Sequence, residues 1–497
     1  MDEGNWIEER RESTANMIEV SSDRMFGLAG AVVFALAAAG CAGPQFPEKH
    51  GAVFQQAVEA SEGNDPAEAA ASAYHYIQGA TVDDPRYDRA LRVLARNTER
   101  LGLSYAASMW YLDIARSRRN VALIDDAIAG LERIIREYPY DRETILRGFL
   151  ASAEITGLAV DQRAFVSYHK GLDSLRRGHE KWAAESFQKI PDGNPYRLRA
   201  RYALAVREVA TYDLETAKEE LEKLLEEPLP EDLRVKVRRT LGRTEFEERD
   251  YEAALEHYRA IQSRAPDHPR LLLEMAWNHY YLGDYRRALG LLLALDAPAY
   301  RELIAPKRYL LEAMSLRKLC QYGPARKAAV RLEQAHGDAL DDLYEGVQLE
   351  RSEPLREAAG VRAGGRRVAE FRDRVAAERD RLEELDRKLG PELIERLEAI
   401  YEQGMEEAER REREELTDKA RELAGELIEA ENGVQLILHE LGVSLLRGER
   451  ESTQSGGGEL LEQTDVAEQV VYRFRGEFWT DELDDLVVQL EDRCIEE

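Results

Sequence analysis

Residues 241–269 read LGRTEFEERDYEAALEHYRAIQSRAPDHP, and residues 275–298 read MAWNHYYLGDYRRALGLLLALDAP. Each stretch holds a small residue (Gly242, Ala276), an alanine twelve positions later (Ala254, Ala288) and a large residue four beyond that (Tyr258, Leu292). An Asp-Tyr pair, Asp250-Tyr251 or Asp284-Tyr285, precedes each alanine by the same interval. The small-to-alanine pair recurs as Ala115/Ala127, Gly171/Ala183, Ala205/Ala217 and Ala313/Ala325, with Phe187 and Leu221 at the large position. From Ala183 the alanines fall 34, 37, 34 and 37 residues apart, and Ala90 lies 37 before Ala127. Small residues at such spacing let two antiparallel helices approach closely, while the large side chain fills the space beside them. Pro139 and Pro266, each twelve after its alanine, stop the second helix because proline lacks an amide donor. One such hairpin cannot bury its own apolar face, so neighbours must stack.

A period of 34 with occasional three-residue insertions is that of the tetratricopeptide repeat. The expected fold is therefore all-α. A right-handed solenoid of helical hairpins spans 82–350, followed by a charged helical or coiled-coil segment at 351–451. A Gly/Ser linker and aromatic tail at 452–497 form a short C-terminal cap. The interval between Ala127 and Ala183 is 56 residues, room for an irregular pair that includes the apolar run Thr144–Leu158. Between Gln45 and Ala80 the pattern predicts one Ala-rich helix starting at Gly63-Asn64-Asp65-Pro66.

Within 497 residues, 69 Lys and Arg oppose 97 Asp and Glu, a net charge of −28. A polyanion of that size repels nucleic acid phosphates. Few prolines and abundant Ala, Leu, Glu and Arg agree with helix. Three cysteines cannot build a disulfide framework.

Residues 1–40 read as a signal-peptide region whose true start is Met17 or Met25, and 41–81 as an N-terminal linker and helix. The run MFGLAGAVVFALAAAG, Met25–Gly40, is too short to span a bilayer but suits a signal core. Leu36–Cys41 resembles a bacterial lipobox, which implies lipidation at Cys41, a firm membrane anchor. Ala42 rather than Asp after it implies an outer-membrane lipoprotein facing the periplasm; secretion or inner-membrane anchoring is the alternative.

In the carboxyl third, Val368, Phe371, Val375, Leu382, Leu385 and Leu389 keep a seven-residue pattern. Gly390-Pro391 breaks it, Leu393, Leu397 and Ile400 open a second helix, and EEAERREREEL (406–416) reads as a solvated face. A third helix is expected over Leu436–Gly448. Ser452–Gly458 has linker composition, and Asp481–Glu491 returns to helical spacing. The ending YRFRGEFWTDEL (472–483) with Cys494 near the terminus, joined to a lipobox and these repeats, resembles tetratricopeptide lipoproteins of delta-proteobacterial type, including those of the gliding-motility apparatus.

Chemistry-bearing motifs are absent. His439-Glu440 has no second histidine, no nucleophile elbow or dinucleotide fingerprint occurs, and Gly456–Gly458 lacks the Lys-Ser/Thr of a phosphate loop. Cys320 and Cys494 lack metal-site spacing, and whether they pair is open. No cofactor, metal, catalytic residue or small-molecule substrate is expected, so the reading is not an enzyme.

In tetratricopeptide proteins the first helix of each hairpin lines the concave face, three before, one after, and four and five after the small residue. Mapped here, this selects Tyr202, Arg239, Arg243, Phe246, Trp277, Tyr280, Tyr281, Arg317 and Lys318. Aromatic and cationic side chains together suit an extended partner segment with carboxylates and apolar anchors. The expected function is a membrane-anchored periplasmic scaffold that binds a protein or peptide segment in an envelope-spanning assembly. A chaperone-like envelope assembly factor with many clients is the alternative.

Overall fold

A computed structural model describes residues 48–138, 145–146, 157–265, 268–297, 300, 305–446 and 487–494. Met25–Gly40, Cys41, Pro139, Pro266, Ser452–Gly458 and 472–483 lie outside them. Eighteen α-helices fill the described residues. The first five are α1 Glu48–Glu62, α2 Pro66–Gly79, α3 Tyr87–Arg100, α4 Ser104–Ser117 and α5 Val121–Glu137. The next six are α6 Val160–Arg176, α7 Glu180–Gln188, α8 Pro195–Ala210, α9 Leu214–Leu225, α10 Glu231–Glu247 and α11 Tyr251–Arg259. Then come α12 His268–Tyr281, α13 Tyr285–Ala294, α14 Lys307–Lys318 and α15 Tyr322–Tyr344. The last three are α16 Glu353–Val361, α17 Ala363–Leu389 and α18 Pro391–Leu446. No helix among the described residues is long and apolar enough to cross a membrane.

Every residue of the small-position series, from Ala115/Ala127 to Ala313/Ala325, is buried. The stack is a tetratricopeptide-type solenoid, and its packing rule is volume exchange between paired helices. Where the first helix carries Gly, the second carries an aromatic ring: a Cβ on Gly242 would lie 2.5 Å from the Tyr258 ring, and Gly171 meets Phe187 in the same way. Where the first helix carries Ala205 or Ala276, the matching residue is Leu221 or Leu292, and opposite Ala313 it shrinks to Ala329, all buried. Three hairpin turns of the repeats reuse one local device. A residue in the left-handed region (Tyr212, Arg249, Gly283) reverses the chain, and the next residue caps the second helix. Asp213 accepts from the Thr216 amide at 3.3 Å, Asp250 from Ala253 at 3.0 Å and Asp284 from Arg287 at 3.3 Å. That capping is why Asp stands before Tyr in the motif.

The amino-terminal expectation needs correction. Glu48–Glu62 is a helix in its own right, and Asp65 caps a second at Pro66, accepting from the Glu68 amide at 3.1 Å. Asp65 and Pro66 start the second helix where the pattern placed it; what the reading missed is the helix before it, which packs against it. The carboxyl third differs too. Leu436 does not begin a separate third helix: Pro391–Leu446 is one helix of 56 residues, because nothing after Pro391 breaks it. The charged run 406–416 stays helical, with Arg410 paired to Glu407 at 2.5 Å and Glu414 at 2.7 Å, while Ala408 is buried beneath.

Helices α17 and α18 form an antiparallel hairpin whose heptad residues Val368, Phe371, Val375, Leu382, Leu385 and Leu389 are all buried. The hairpin enters two separate cores. One joins Phe371, Leu382, Leu397 and Tyr401 to α2–α5; the other joins Leu423, Leu427, Val434 and Ile437 to α14–α16. Each junction uses a glycine of α18 for close approach: a Cβ on Gly404 would lie 2.5 Å from the Tyr105 ring, and one on Gly433 2.7 Å from Leu310. Twenty-nine residues of helix separate them, about 43 Å at 1.5 Å per residue. The repeats α6–α13 pack into three smaller cores made of neighbouring helices. The hairpin is thus a strut between the first and last repeats.

The expected helical spacing over 481–491 fails at its end. Residues 487–494 run without helix, bonded to the solenoid through the Val488 and Arg493 amides as well as to themselves. Cys494 forms a disulfide with Cys320, 174 residues away in sequence.

Candidate protein-binding face

The nine residues expected on the binding face lie on α8, α10, α12 and α14. Tyr202 on α8 is half-buried, and its hydroxyl meets Thr240 Oγ1 at 3.1 Å, bridging to α10. Arg239 and Arg243, one turn apart on α10, converge on Glu274 of α12 at 2.9 and 2.5 Å. Burial pushes the Glu274 carboxyl up, but the two guanidinium charges outweigh it and hold it below the ordinary range. The pair Arg239–Glu274 is largely enclosed, whereas the Arg243 side chain is 51% exposed. Arg243 therefore presents donors outward while sharing one carboxylate with Arg239.

Phe246, Trp277, Tyr280 and Tyr281 come together in one cluster. Trp277 and Tyr281 stack with ring centres 6.1 Å apart, Phe246 meets Tyr281 edge-on at 5.6 Å, and Tyr280 meets Tyr281 at 5.5 Å. Two rings that sequence reasoning left out complete it: Tyr251 lies flat on Tyr281 at 5.0 Å, and Tyr285 meets Tyr280 at 5.5 Å. These are the tyrosines of the Asp-Tyr motif. The signal was present, since a ring fixed just after a helix cap sits at the hairpin turn, within reach of the first helix of its own hairpin (Tyr285) or of the next (Tyr251). Burial, first, and the neighbouring tyrosines push the Tyr280 hydroxyl up to about 12, so it stays a neutral donor. Tyr281 is 43% exposed. Six rings across four helices make an amphipathic surface of the kind that anchors partner side chains.

Arg317 lies near enough to the Tyr280 hydroxyl for its charge to act on it, but its ion pair is with the strut. Arg317 Nη1 lies 3.0 Å from Glu440 of α18, and Lys318 is exposed beside it. The strut end covers this part of α14: Lys307 pairs with Glu429 and Leu310 packs on Gly433. Cys41 falls outside the described residues. Glu274 and Glu440, the carboxylates that engage the arginines, were not singled out from sequence because acids are everywhere in this chain.

A tetratricopeptide repeat protein from Parabacteroides merdae ATCC 43184 is similar to 58% of this chain over 93% of its own, at 14% identity and a TM-score of 0.23. The yeast Tom70 structure matches 82% of this chain and 91% of its own, at 12% identity and 0.30. The P58(IPK) TPR domain matches 81% of this chain and all of its own, at 14% identity and 0.20. At those values the likeness is one of stacked helical hairpins, and nothing further is carried over. No protein-family model matches the chain, and no curated protein matches it.

Proposed function

We propose that this protein is a scaffold that holds a segment of a partner protein against the α10–α13 aromatic face, within a bacterial envelope assembly to which Cys41 anchors it. The six-ring cluster beside Arg243 carries this reading. Its rings are already ordered against one another, so a partner binds without the entropy cost of immobilising them. Arg243 offers outward donors for a carboxylate on that segment. The extracytoplasmic part rests on the lipobox-like Leu36–Cys41 and gains support from the Cys320–Cys494 disulfide, a bond favoured in oxidising compartments. An outer-membrane site and kinship with gliding-motility lipoproteins belong to the same proposal.

The test compares envelope pull-downs by the full chain and by Arg243→Ala/Tyr281→Ala. Both side chains are about half exposed, so melting should change by no more than a few degrees. One or two stoichiometric partners, lost severalfold in the variant, support the scaffold. Many substoichiometric clients point to the assembly-factor alternative, and undiminished capture by the variant removes the face from the reading. Separately, Cys41→Ser should move the protein out of the membrane fraction; unchanged fractionation and mass would dismiss the anchor.

A further inference from the structure

The segment Val487–Cys494 is held as a bound peptide is held. The Val488 amide donates to the Arg286 carbonyl at 3.2 Å and the Arg493 amide to the Leu319 carbonyl at 3.2 Å. The Gln321 side-chain amide donates to the Glu491 carbonyl at 2.8 Å. A tight turn, in which the Leu490 amide donates to the Val488 carbonyl at 3.1 Å, lies between Val488 and Leu490, and both pack against the apolar cluster that Leu289, Leu316, Leu319 and Tyr285 help to form. Val487 and Gln489 are exposed. Main-chain bonds for affinity and alternate side chains for selection are how a groove reads a peptide. Tyr285 also belongs to the six-ring face, so the groove continues that face toward the α14–α15 turn.

The Cys320–Cys494 disulfide closes this arrangement. Cys320 occupies the left-handed turn position that Gly283 takes in the preceding hairpin, which places its sulfur at the mouth of the groove, and Cys494 is exposed. We infer that the edge formed by α13 and the α14–α15 turn is a peptide-docking groove, occupied in cis by the chain's own Val488-Gln489-Leu490-Glu491, and that the disulfide controls this occupancy. The trans ligand is a non-helical protein segment of the same chemistry, two apolar side chains two residues apart followed by acids. Release needs a dithiol reductant. Its thiolate attacks the exposed Cys494 sulfur and the S–S bond breaks. Cys320 leaves as a thiolate and takes up a proton. The reductant's second thiol then displaces Cys494, which is protonated in turn, so the protein gains two electrons and two protons while the reductant becomes a disulfide. After reduction the tail still competes, because 447–486 keeps it at high effective concentration. This goes beyond the aromatic-face reading and does not depend on it.

The probe is a fluorescein-labelled peptide VVQLEDR, residues 487–493, titrated into the full chain by anisotropy. The oxidised wild type should leave it unbound. The reduced Val488→Asp/Leu490→Asp variant, whose own tail no longer fits, should bind it saturably and at least tenfold more tightly than the oxidised wild type. The reduced wild type should fall between. A control peptide with Asp at both apolar positions should bind none of them. The inference is overturned if the reduced variant, with helix content equal to wild type, ignores the peptide. Equal binding by oxidised and reduced forms, or alkylation of Cys494 in the unreduced chain, overturns it as well.

Discussion

The repeats from α6 to α13 and the α17–α18 hairpin are both amphipathic helices packed in antiparallel pairs, yet ties of opposite range hold them. In the repeats the decisive contacts join residues 16 apart, Gly171 to Phe187 and Gly242 to Tyr258. The hairpin is fixed to the first repeats by Glu378, which accepts the Tyr105 amide at 2.9 Å across 273 residues, and the hydroxyls of Tyr138 and, at 2.7 Å, Tyr401. Arg374 and Arg381 add bonds to the Glu137 and Leu101 carbonyls. Local units of the first kind fold with little loop-closure cost, whereas the strut docks only when both ends of the solenoid exist. A solenoid with free ends flexes as a spring. This one has its end repeats held about 43 Å apart along a helix.

The sharpest way to break the comparison is Glu378→Ala. It leaves two buried tyrosine hydroxyls and an amide without their acceptor, a cost of about 3 kcal/mol. Hydrogen exchange should rise at α17, the first half of α18 and α4–α5 together, while α8–α11 stay protected. A uniform rise would show that the repeats depend on the strut.

The local half of the comparison is tested by Gly242→Ala, which pushes a methyl into the Tyr258 ring and should cost about 1–3 kcal/mol by overpacking. Adding Tyr258→Leu reproduces the Ala/Leu pairing of Ala205–Leu221 and should recover much of that loss. Additive losses in denaturant titrations would mean that volume exchange is not the packing rule.

The smallest effect concerns pH. Burial raises the Glu378 carboxyl above its ordinary value, against the lowering pull of its three hydrogen bonds. Its folded form therefore binds a proton more tightly than the unfolded chain does. Its contribution is fully present below the ordinary carboxylate range and is lost as pH rises through the raised folded value. Mild acidification from neutral should thus tighten strut docking rather than loosen it. Glu378→Gln, which keeps one oxygen for Tyr105 and Tyr401 and offers an amide to Tyr138, should flatten that slope in melts taken at several pH values.

Much of the solenoid was legible because its information is local. A residue that must be small lies a fixed distance from one that must be large, and every residue of that series is buried. The same locality made Arg239 and Arg243 legible as neighbours on one helix, but not their shared carboxylate, Glu274, since any of 97 acids could serve. The Asp-Tyr spacing marked Tyr251 and Tyr285 but not the rings they meet, since Tyr251 reaches Tyr281 on the next hairpin and Tyr285 reaches Tyr280 across its own turn.

By itself the sequence determined helix, period and the identity of each hairpin's packing pair, since each depends on residues at fixed, short separations along the chain, 16 for the packing pair. Only the tertiary structure decided that α18 runs unbroken from Tyr105 to Leu310, that Arg317 is taken by Glu440, and that Cys320 and Cys494 meet. The reason is physical: a glycine in a charged helix, an arginine among acids or a cysteine far from its mate carries no periodic mark. What each one touches is set by where the curvature of the stack brings the chain back upon itself.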